Sequence, residues 1–226
     1  MQDSSKILML RQSSLFKHLN ETEIAQLARH SNLKRIKKNQ FIYHNQQEIQ
    51  YVYVIEKGSI KCGMETSSGK ILIKHIHYDQ EVFGENVFAG IKRNDFAQAM
   101  QDSVLLVIPA SLFRSSISKN AEFAAEIMQL IITRLNHVEE RMHNFVFKKA
   151  KERIYNFIVT SGRARGIKIG LDECLINHGM SHKEIAYLTD TSRQTVARVL
   201  GELKRDNLIH FSPRKPSKIL IRSMEW

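Results

Sequence analysis

The residue types best suited to recognition chemistry lie together on one short helical segment near the carboxyl end of the chain. Between residues 192 and 205, four apolar side chains recur at i, i+3, i+4 and i+7, so they share one side of a helix. The other side then carries Arg193, Gln194, Ala197, Arg198 and Gly201. Arg and Gln form paired hydrogen bonds with guanine and adenine, and small residues allow close entry into a major groove. The segment 192–205 is therefore predicted to be a helix that reads DNA bases.

The segments on either side of this helix extend the pattern. Ser181 and Glu184 match a capping box, which predicts a short preceding helix. Gln194 has an alternative role, because capping on Thr191 would remove it from base reading. Residues 208–211 and 219–221 are predicted strands of a hairpin whose tip is rich in Pro, Arg and Lys. That tip is either a solvated turn or, since it follows a recognition helix, a wing that approaches the DNA backbone.

Two histidines and two cysteines are the remaining candidates for metal chemistry. His75 and His77 alternate along a predicted strand and so point to one face. A pair of imidazoles at this spacing can bind a metal ion, but exposed strand histidines are far commoner. Cys62 and Cys174 are the only cysteines, which excludes an all-cysteine iron–sulfur or zinc site. We therefore expect no metal site and no cofactor.

The periodicity of apolar residues changes twice along the sequence before the recognition helix. Residues 1–32 are predicted to form short helices, with Asn20 before an acidic first turn. From Leu33 the period becomes two, and short β-rich runs between turn signals predict a small antiparallel sandwich or roll. At Asn120 a helical pattern returns, and no Gly or Pro follows before Gly162. Residues 162–170 are predicted to form a loop.

The long helix after Asn120 carries an apolar seam. Its members recur at spacings of three and four residues, which is typical of a coiled coil. They are Ile127, Ile131, Leu135, Val138, Met142 and Phe145. We expect this seam to pair with a second copy of the chain in a parallel homodimer. The alternative is one long helix buried against its own domain. A second apolar flank with Phe123 and Leu130 would let the helix contact its own roll as well as a second copy.

The charge distribution favours a polyanionic partner, either nucleic acid or an anionic membrane surface. The chain has 34 Lys and Arg against 23 Asp and Glu, a formal net charge of +11. Residues 148–226 carry 16 basic and 8 acidic groups, a net charge of +8, although a solvated basic face would show the same excess. No apolar run approaches the roughly 18 residues of a membrane span, and no signal peptide is evident. We expect a cytoplasmic protein with no membrane partner.

Residues 181–203 closely resemble the helix-turn-helix signature of the Crp/Fnr family of bacterial transcription regulators, and they read SHKEIAYLTDTSRQTVARVLGEL. The order of the predicted parts is also similar to that family over nearly the whole chain. The resemblance implies an α+β protein with an N-terminal antiparallel β-roll of the cyclic-nucleotide-binding, double-stranded β-helix type. A long dimerisation helix and a C-terminal winged helix-turn-helix follow. The implied domains are residues 1–119, 120–147 and 148–226.

The resemblance also implies roles for single residues. The family's base-reading residues are typically Arg, Glu and Arg, and they match Arg193, Gln194 and Arg198. Gln in place of Glu implies a preference for adenine over cytosine at that base pair. Asp190 stands where the family's turn often has Gly, a mild departure because Asp tolerates a left-handed backbone. The expected phosphate contacts are Ser181, Lys183, Ser192, Thr195, Arg214 and Lys215.

The predicted roll resembles the family's cyclic-nucleotide-binding domain but lacks a key cation. Binders of cyclic AMP typically carry Gly-Glu and, shortly afterwards, Arg-Ser-Ala or Arg-Thr-Ala. Here Gly84-Glu85 is followed by Asp95-Phe96-Ala97, and the Asp carboxylate would repel a cyclic phosphate. We therefore expect an effector other than cyclic AMP, of unknown identity. The expected effector pocket comprises Gly84, Glu85, Arg93 and Phe96.

We expect a homodimeric, sequence-specific DNA-binding regulator that reads a palindromic site and is controlled through the roll. Contact with RNA polymerase is implied by the resemblance alone. The alternative is a ligand-sensing interaction protein whose roll engages a protein partner. The outward Arg and Gln side chains argue against it, because protein interfaces favour aromatic anchors. No enzyme and no catalytic residue is expected, since the sequence has no glycine-rich phosphate loop, HExxH motif or nucleophile elbow.

Overall fold

The structure is a computed structural model that describes residues 2–88, 90–176, 180–212 and 218–222. The chain divides into two units, Met1–Asn136 and His137–Trp226. The first contains two antiparallel sheets with helices, and the second contains helices and one small sheet. Within the described ranges, no helix is both long enough and apolar enough to cross a membrane.

Three short helical segments open the first unit, and they are α1 Gln2–Gln12, a 3-10 helix Ser14–Phe16 and α2 Glu21–His30. Helix α2 begins with a capping box at the predicted Asn20. The Asn20 side chain accepts a hydrogen bond from the Glu23 amide at 2.9 Å, and the Glu23 carboxylate accepts one from the Asn20 amide at 2.8 Å. These bonds satisfy amides that a helix start leaves without backbone partners.

Eight strands form the roll of the first unit. They are β1 Asn32–Ile36, β2 Phe41–Tyr43, β3 Tyr51–Lys57, β4 Ile60–Glu65, β5 Ile71–His77, β6 Val82–Phe83, β7 Phe96–Ala99 and β8 Ser103–Pro109. One four-stranded sheet has the order β1-β8-β3-β6, and the other has the order β2-β7-β4-β5. All pairings within them are antiparallel, so the predicted β-roll is confirmed.

Strand β3 is buried on both faces, which explains its unbroken apolar run over residues 52–55. Val52 and Val54 face a core cluster that also contains residues of the surrounding helices. Tyr53 and Ile55 face a second cluster formed by residues of both sheets. The sheet that contains β3 is therefore the middle layer, between the helices on one side and the interior of the roll on the other.

Two helices follow the roll, α3 Ala110–Lys119 and α4 Ala121–Phe147. The Asn120 side-chain oxygen accepts a hydrogen bond from the Phe123 amide at 2.9 Å, which confirms the predicted cap. Phe123 is buried in the core cluster of the first unit that also contains Val52 and Val54. Helix α4 continues beyond Asn136, so its last turns belong to the second unit.

The second unit contains the helices α5 Ala150–Arg165, α6 His182–Leu188 and α7 Arg193–Arg205. Its strands are β9 Ile167–Lys168, β10 Cys174–Ile176, β11 Ile209–Phe211 and β12 Ile219–Ile221. They form one antiparallel sheet in the order β11-β12-β10-β9. The predicted C-terminal hairpin is confirmed, because Ile209 pairs with Ile221 and Phe211 pairs with Ile219.

The predicted loop over residues 162–170 is wrong in part, because α5 continues to Arg165 and β9 follows it. Gly162 and Gly166 allow close packing here and do not form a turn. A Cβ added at Gly166 would lie 1.9 Å from Cys174 Sγ, and Gly162 is buried within α5. The Cys174 thiol donates to the Gly162 carbonyl at 3.5 Å, so β10 packs directly against the end of this helix.

Candidate nucleic-acid interface and effector pocket

The helix-turn-helix begins at Ser181, the N-cap of α6. The Ser181 hydroxyl accepts a hydrogen bond from the Glu184 amide at 3.3 Å, and the Glu184 carboxylate accepts one from the Ser181 amide at 2.9 Å. The predicted capping box is therefore confirmed. Ile185 and Ala186 are buried on the inner side of the helix. Ser181 and Lys183, two of the candidate phosphate contacts, are exposed at the start of α6.

The turn between α6 and α7 is fixed through its backbone carbonyls. Asp190 has a left-handed backbone with φ of 51°, which Asp adopts more readily than most residues. The carbonyls of Thr189 and Asp190 each accept a hydrogen bond from the Arg153 guanidinium at 2.9 Å. The same guanidinium donates to the Lys148 carbonyl at 2.7 Å. Arg153 therefore ties the turn to the start of α5.

A second arginine, Arg141 of α4, binds the side chain of the same turn residue. Its Nε and Nη2 atoms donate to the two carboxylate oxygens of Asp190 at 2.9 and 2.7 Å, which is a bidentate pair. Nη2 also donates to the Tyr187 carbonyl at 2.6 Å. The sequence does not reveal the roles of Arg141 and Arg153, because contacts between residues far apart in the chain leave no local pattern. The sequence signals only Arg153, which lies in the basic segment Lys148–Arg153.

Helix α7 has the two faces that its sequence predicts. Its inward residues are buried, and they are Val196, Val199, Leu200 and Leu203. Arg193, Gln194, Ala197 and Arg198 are exposed, and we call these four residues the outward face of α7. The N-cap is Ser192, whose hydroxyl accepts from the Thr195 amide at 3.0 Å. The helix is therefore capped without Gln194.

Some of the residues that are predicted to contact DNA already form contacts within the chain. Arg198 forms an ion pair with Glu202 one turn further along α7, and 63% of the Arg198 side chain is exposed. The hydroxyls of Ser192 and Thr195 are hydrogen-bonded to each other at 2.9 Å. The candidate contacts Arg214 and Lys215 lie outside the described residues. The strands β11 and β12 on either side of them in the sequence are described, and they pair as a hairpin.

In the roll, the expected effector-pocket residue Arg93 is committed to internal contacts. It is 1% exposed and donates to the carbonyls of Gly84 and Tyr51 and to the side chain of Asn86. Its guanidinium lies 4.1 Å from the centroid of the Tyr43 ring. Gly84 has φ of 75°, and a Cβ there would lie 3.0 Å from Arg93 Nη1. Arg93 thus stabilises the roll, which differs from the expectation that it lines a pocket.

The other expected pocket residues also have partners within the first unit. Lys74 Nζ lies 2.8 Å from Asp95 Oδ2, whereas Asp95 Oδ1 is buried without a hydrogen-bond partner in the described part of the chain. Phe96 is 4% exposed. Glu85 forms an ion pair with Arg134 of α4. Both carboxylates, Asp95 and Glu85, therefore have cationic partners within the first unit.

His75 and His77 share one face of β5, but the expectation of exposed strand histidines is wrong for His77. The His77 side chain is 3% exposed, and its ring lies 5.7 Å from the ring of Phe83 between centroids. His77 Nδ1 lies 3.2 Å from Glu81 Oε2, and His75 Nε2 lies 3.9 Å from the same oxygen. Burial, followed by nearby positive charges, holds the pKa of His77 well below its usual value.

The apolar seam of α4 is exposed except at its first member. Ile127 was expected in the seam, but it is 5% exposed in the core of the first unit, beside Phe123. The other members have exposed fractions of 51% for Ile131, 54% for Leu135, 56% for Val138, 65% for Met142 and 55% for Phe145. Apolar side chains exposed in such a series are typical of an interaction surface.

Two known domain families match the chain. Residues 33–120 match the cyclic nucleotide-binding domain, and residues 152–226 match the Crp-like helix-turn-helix domain. The first range spans the roll, and the second spans α6, α7 and the small sheet.

The relatives of the chain are bacterial regulators. It is 22% identical to the anaerobic regulatory protein of Bacillus subtilis, over 87% of this chain and 82% of the relative. It is 24% identical to the fumarate and nitrate reduction regulatory protein of Vibrio cholerae, over 84% of this chain and 76% of the relative.

Solved structures show the same fold. FixK2 from Bradyrhizobium japonicum has a TM-score of 0.75 at 22% identity, over 85% of this chain and 92% of that chain. A CooA mutant from Carboxydothermus hydrogenoformans has a TM-score of 0.75 at 20% identity, over 94% of this chain and 92% of that chain. With both domains present in this order, the chain belongs to the Crp/Fnr family of DNA-binding transcription regulators.

Proposed function

We propose that the chain acts as a homodimer in which two copies of α7 read the halves of a palindromic DNA site. The observation that carries this proposal is the outward face of α7, which is exposed on a helix whose other face is fully buried. A helix that enters a major groove needs this combination of bidentate donors and small side chains. Arg193 and Arg198 would read guanine, and Gln194 would read adenine.

Phosphate contacts would fix the register of α7 in the groove. The proposed contacts are Ser181, Lys183, Ser192, Thr195, Arg214 and Lys215. Ser192 and Thr195 lie at the N-terminus of α7, where helix amides and the helix dipole favour a phosphate. Their mutual hydrogen bond keeps both hydroxyls at this end of the helix. Such contacts position the protein, whereas the outward face of α7 specifies the sequence.

The exposed seam of α4 supports the homodimer. Two parallel copies of the helix would bury Ile131, Leu135, Val138, Met142 and Phe145 against each other. The two recognition helices would then meet half-sites about 34 Å apart, roughly one turn of DNA. In this arrangement residues 1–119 sense the effector, residues 120–147 dimerise and residues 148–226 bind DNA.

The effector that acts through the roll is proposed to be a ligand other than cyclic AMP. The Asp95 carboxylate supports this, because by the family resemblance it stands where a cyclic phosphate would need a cation. Contact with RNA polymerase is proposed from the family resemblance. The protein is proposed to act in the cytoplasm as a regulator and not as an enzyme.

The test is selection of binding sites from a random duplex pool with the full-length protein at two salt concentrations. A two-fold symmetric site that persists at the higher salt concentration is expected. Arg193→Ala should lose preference at one base pair in each half-site, whereas Arg35→Ala, which removes an exposed arginine from β1, should not. Salt-sensitive binding without a motif would contradict the proposal and favour a ligand-sensing protein that engages a protein partner.

A further inference from the structure

Three potential metal ligands come together at one end of β5. They are the imidazoles of His75 and His77 and the carboxylate of Glu81, and their ligand atoms all lie within 4.8 Å of one another. The two distances to Glu81 Oε2 are 3.2 Å from His77 and 3.9 Å from His75. A tetrahedral ion with bonds of about 2.1 Å spaces its ligand atoms roughly 3.4 Å apart. The two spacings to Glu81 lie close to this value and the third is within 4.8 Å, so side-chain rotations would bring all three atoms to one ion.

The backbone holds these ligands on a rigid frame. His75 and His77 lie two residues apart on β5, so both rings point to one face, with 4.6 Å between their centroids. The chain then turns back, and the Glu81 amide donates to the Tyr78 carbonyl at 3.1 Å. The Glu81 carbonyl in turn accepts from the Ile55 amide of β3 at 3.0 Å. Ligands on hydrogen-bonded strands and turns need little reorganisation to bind an ion.

We propose that His75, His77 and Glu81 form a binding site for a divalent transition-metal ion, with Zn²⁺ as its simplest occupant. Two nitrogen ligands and one carboxylate suit Zn²⁺, Co²⁺, Ni²⁺ or Fe²⁺, whereas Ca²⁺ and Mg²⁺ prefer oxygen ligands throughout. Three protein ligands leave a fourth position for water or for a small ligand. The site differs from the sequence-based expectation of no metal, which rests on exposed strand histidines being far commoner than metal ligands.

The charges around the site are compatible with a cation. Lys74 is paired with Asp95, and Arg134 is paired with Glu85, so each of these two cations has its own carboxylate. Adding Glu81 gives two positive and three negative groups, a net charge of minus one for these five residues. Each of these two cations is therefore paired, and Glu81 contributes a negative charge of its own to the cluster.

The site is also connected to α4, and this step rests on the proposed function. Glu81 is followed directly by Val82, whose carbonyl accepts a hydrogen bond from Arg134 Nη2 at 2.6 Å. Glu85, three residues further, forms the ion pair with the same guanidinium. An ion that fixes Glu81 would therefore fix the segment that Arg134 binds, and through it the position of α4 on the roll.

The test is titration of untagged, metal-free, full-length protein with Co²⁺, followed by displacement with Zn²⁺. One Co²⁺ per chain is expected, with the visible absorption of a low-symmetry imidazole and carboxylate site. His75→Gln and Glu81→Gln should each weaken binding by more than the roughly 10–100-fold that the loss of an outer-shell partner costs. Both residues are more than a third exposed, so these variants should fold, and thermal unfolding checks this.

His44→Gln is the matched control, because it removes an exposed histidine of the same unit that stacks on Phe41 outside the cluster. It should bind Co²⁺ like the original protein. Absence of stoichiometric binding would overturn the proposal, and so would full affinity in either His75→Gln or Glu81→Gln. Zn²⁺ should also change the affinity for the selected DNA site in the original protein but not in Glu81→Gln. If Co²⁺ binds as expected and the DNA affinity is unchanged, only the connection to α4 is overturned.

Discussion

Reading a base, the role proposed for Arg198, would require this residue to give up its ion pair with Glu202. The pair lies on the surface of α7, with 63% of the arginine side chain exposed, so it contributes about 1 kcal/mol at most. A bidentate contact with a base contributes roughly 1–3 kcal/mol of discrimination. The base contact should therefore be the more favourable of the two, and Arg198 should exchange Glu202 for a base when α7 enters the groove.

Removing the competing carboxylate should strengthen DNA binding. We expect Glu202→Gln to raise the affinity for the selected site by about fivefold at most, because it releases Arg198 and removes a negative charge near the phosphates. Fluorescence anisotropy with a labelled duplex measures this change. Glu56→Gln, an exposed charge of β3, is the control for net charge. Weaker binding by Glu202→Gln would mean that Glu202 positions Arg198 rather than competes for it.

A phosphate contact should behave differently from a base contact. Lys183 is exposed at the start of α6, with its Nζ 5.8 Å from the centroid of the Tyr187 ring. We expect Lys183→Ala to weaken binding to selected and scrambled duplexes alike, and to reduce the slope of log affinity against log salt by about one. Arg198→Ala should instead lose about 1–3 kcal/mol for the selected duplex alone. A sequence-dependent loss in Lys183→Ala would contradict its assignment to a phosphate.

Among the elements, the turn of the helix-turn-helix depends on two arginines from outside the motif. Arg141 and Asp190 have side chains that are 23% and 21% exposed, so solvent screens their bidentate pair only in part. We expect a double-mutant cycle with Arg141→Gln and Asp190→Asn to give a coupling of roughly 0.5–3 kcal/mol in the free energy of unfolding. Urea denaturation measures it, and Arg205→Gln, an exposed arginine of α7, provides the control. Additive losses would show that the pair adds nothing to the turn.

The elements that the sequence predicts correctly are those that local chemistry determines. The caps at Asn20, Asn120 and Ser181 are bonds between residues three positions apart, so short motifs reveal them. The faces of α7 follow from helical periodicity in the same way. The predicted loop is wrong in part at the end of α5, because Gly162 and Gly166 pack against Cys174 of another element, β10. Packing between elements leaves no periodic signal in the sequence.

The candidate sites show the same division between local and long-range information. The exposure of Arg193 and Arg198 follows from the pattern of α7 alone. The burial of Arg93 and His77 does not, because it results from strands that meet only in the folded roll. Ile127 likewise fits the heptad spacing of the seam, yet it packs in the core, since the roll covers the first turns of α4. Spacing identifies a helix face but not what covers it.

At the scale of the whole molecule, the net charge differs between the long helix and the DNA-binding segment. Residues 148–226 carry a net charge of +8 of the total +11, whereas residues 121–147 carry two basic and four acidic groups. In the proposed dimer, like charges on the two long helices would repel each other, and burial of the apolar seam would offset this repulsion. The basic excess lies instead in the segment with α6 and α7, where it attracts DNA and makes binding dependent on salt.

The seam of α4 provides the decisive comparison, because two of its residues have opposite environments. Leu135 is 54% exposed and Ile127 is 5% exposed, although both fit the same heptad spacing. We expect Leu135→Glu to convert the proposed dimer to a folded monomer in sedimentation velocity, since a charge in a coiled-coil seam loses its hydration. Affinity for the full palindrome should then fall by about 10²–10⁴-fold, because the two half-sites are no longer bound together. Ile127→Ala should leave the dimer intact but lower the free energy of unfolding by roughly 2–5 kcal/mol, as expected for a cavity in the core. If Leu135→Glu remains dimeric, the exposed seam does not form the interface and the proposed spacing of the half-sites fails with it.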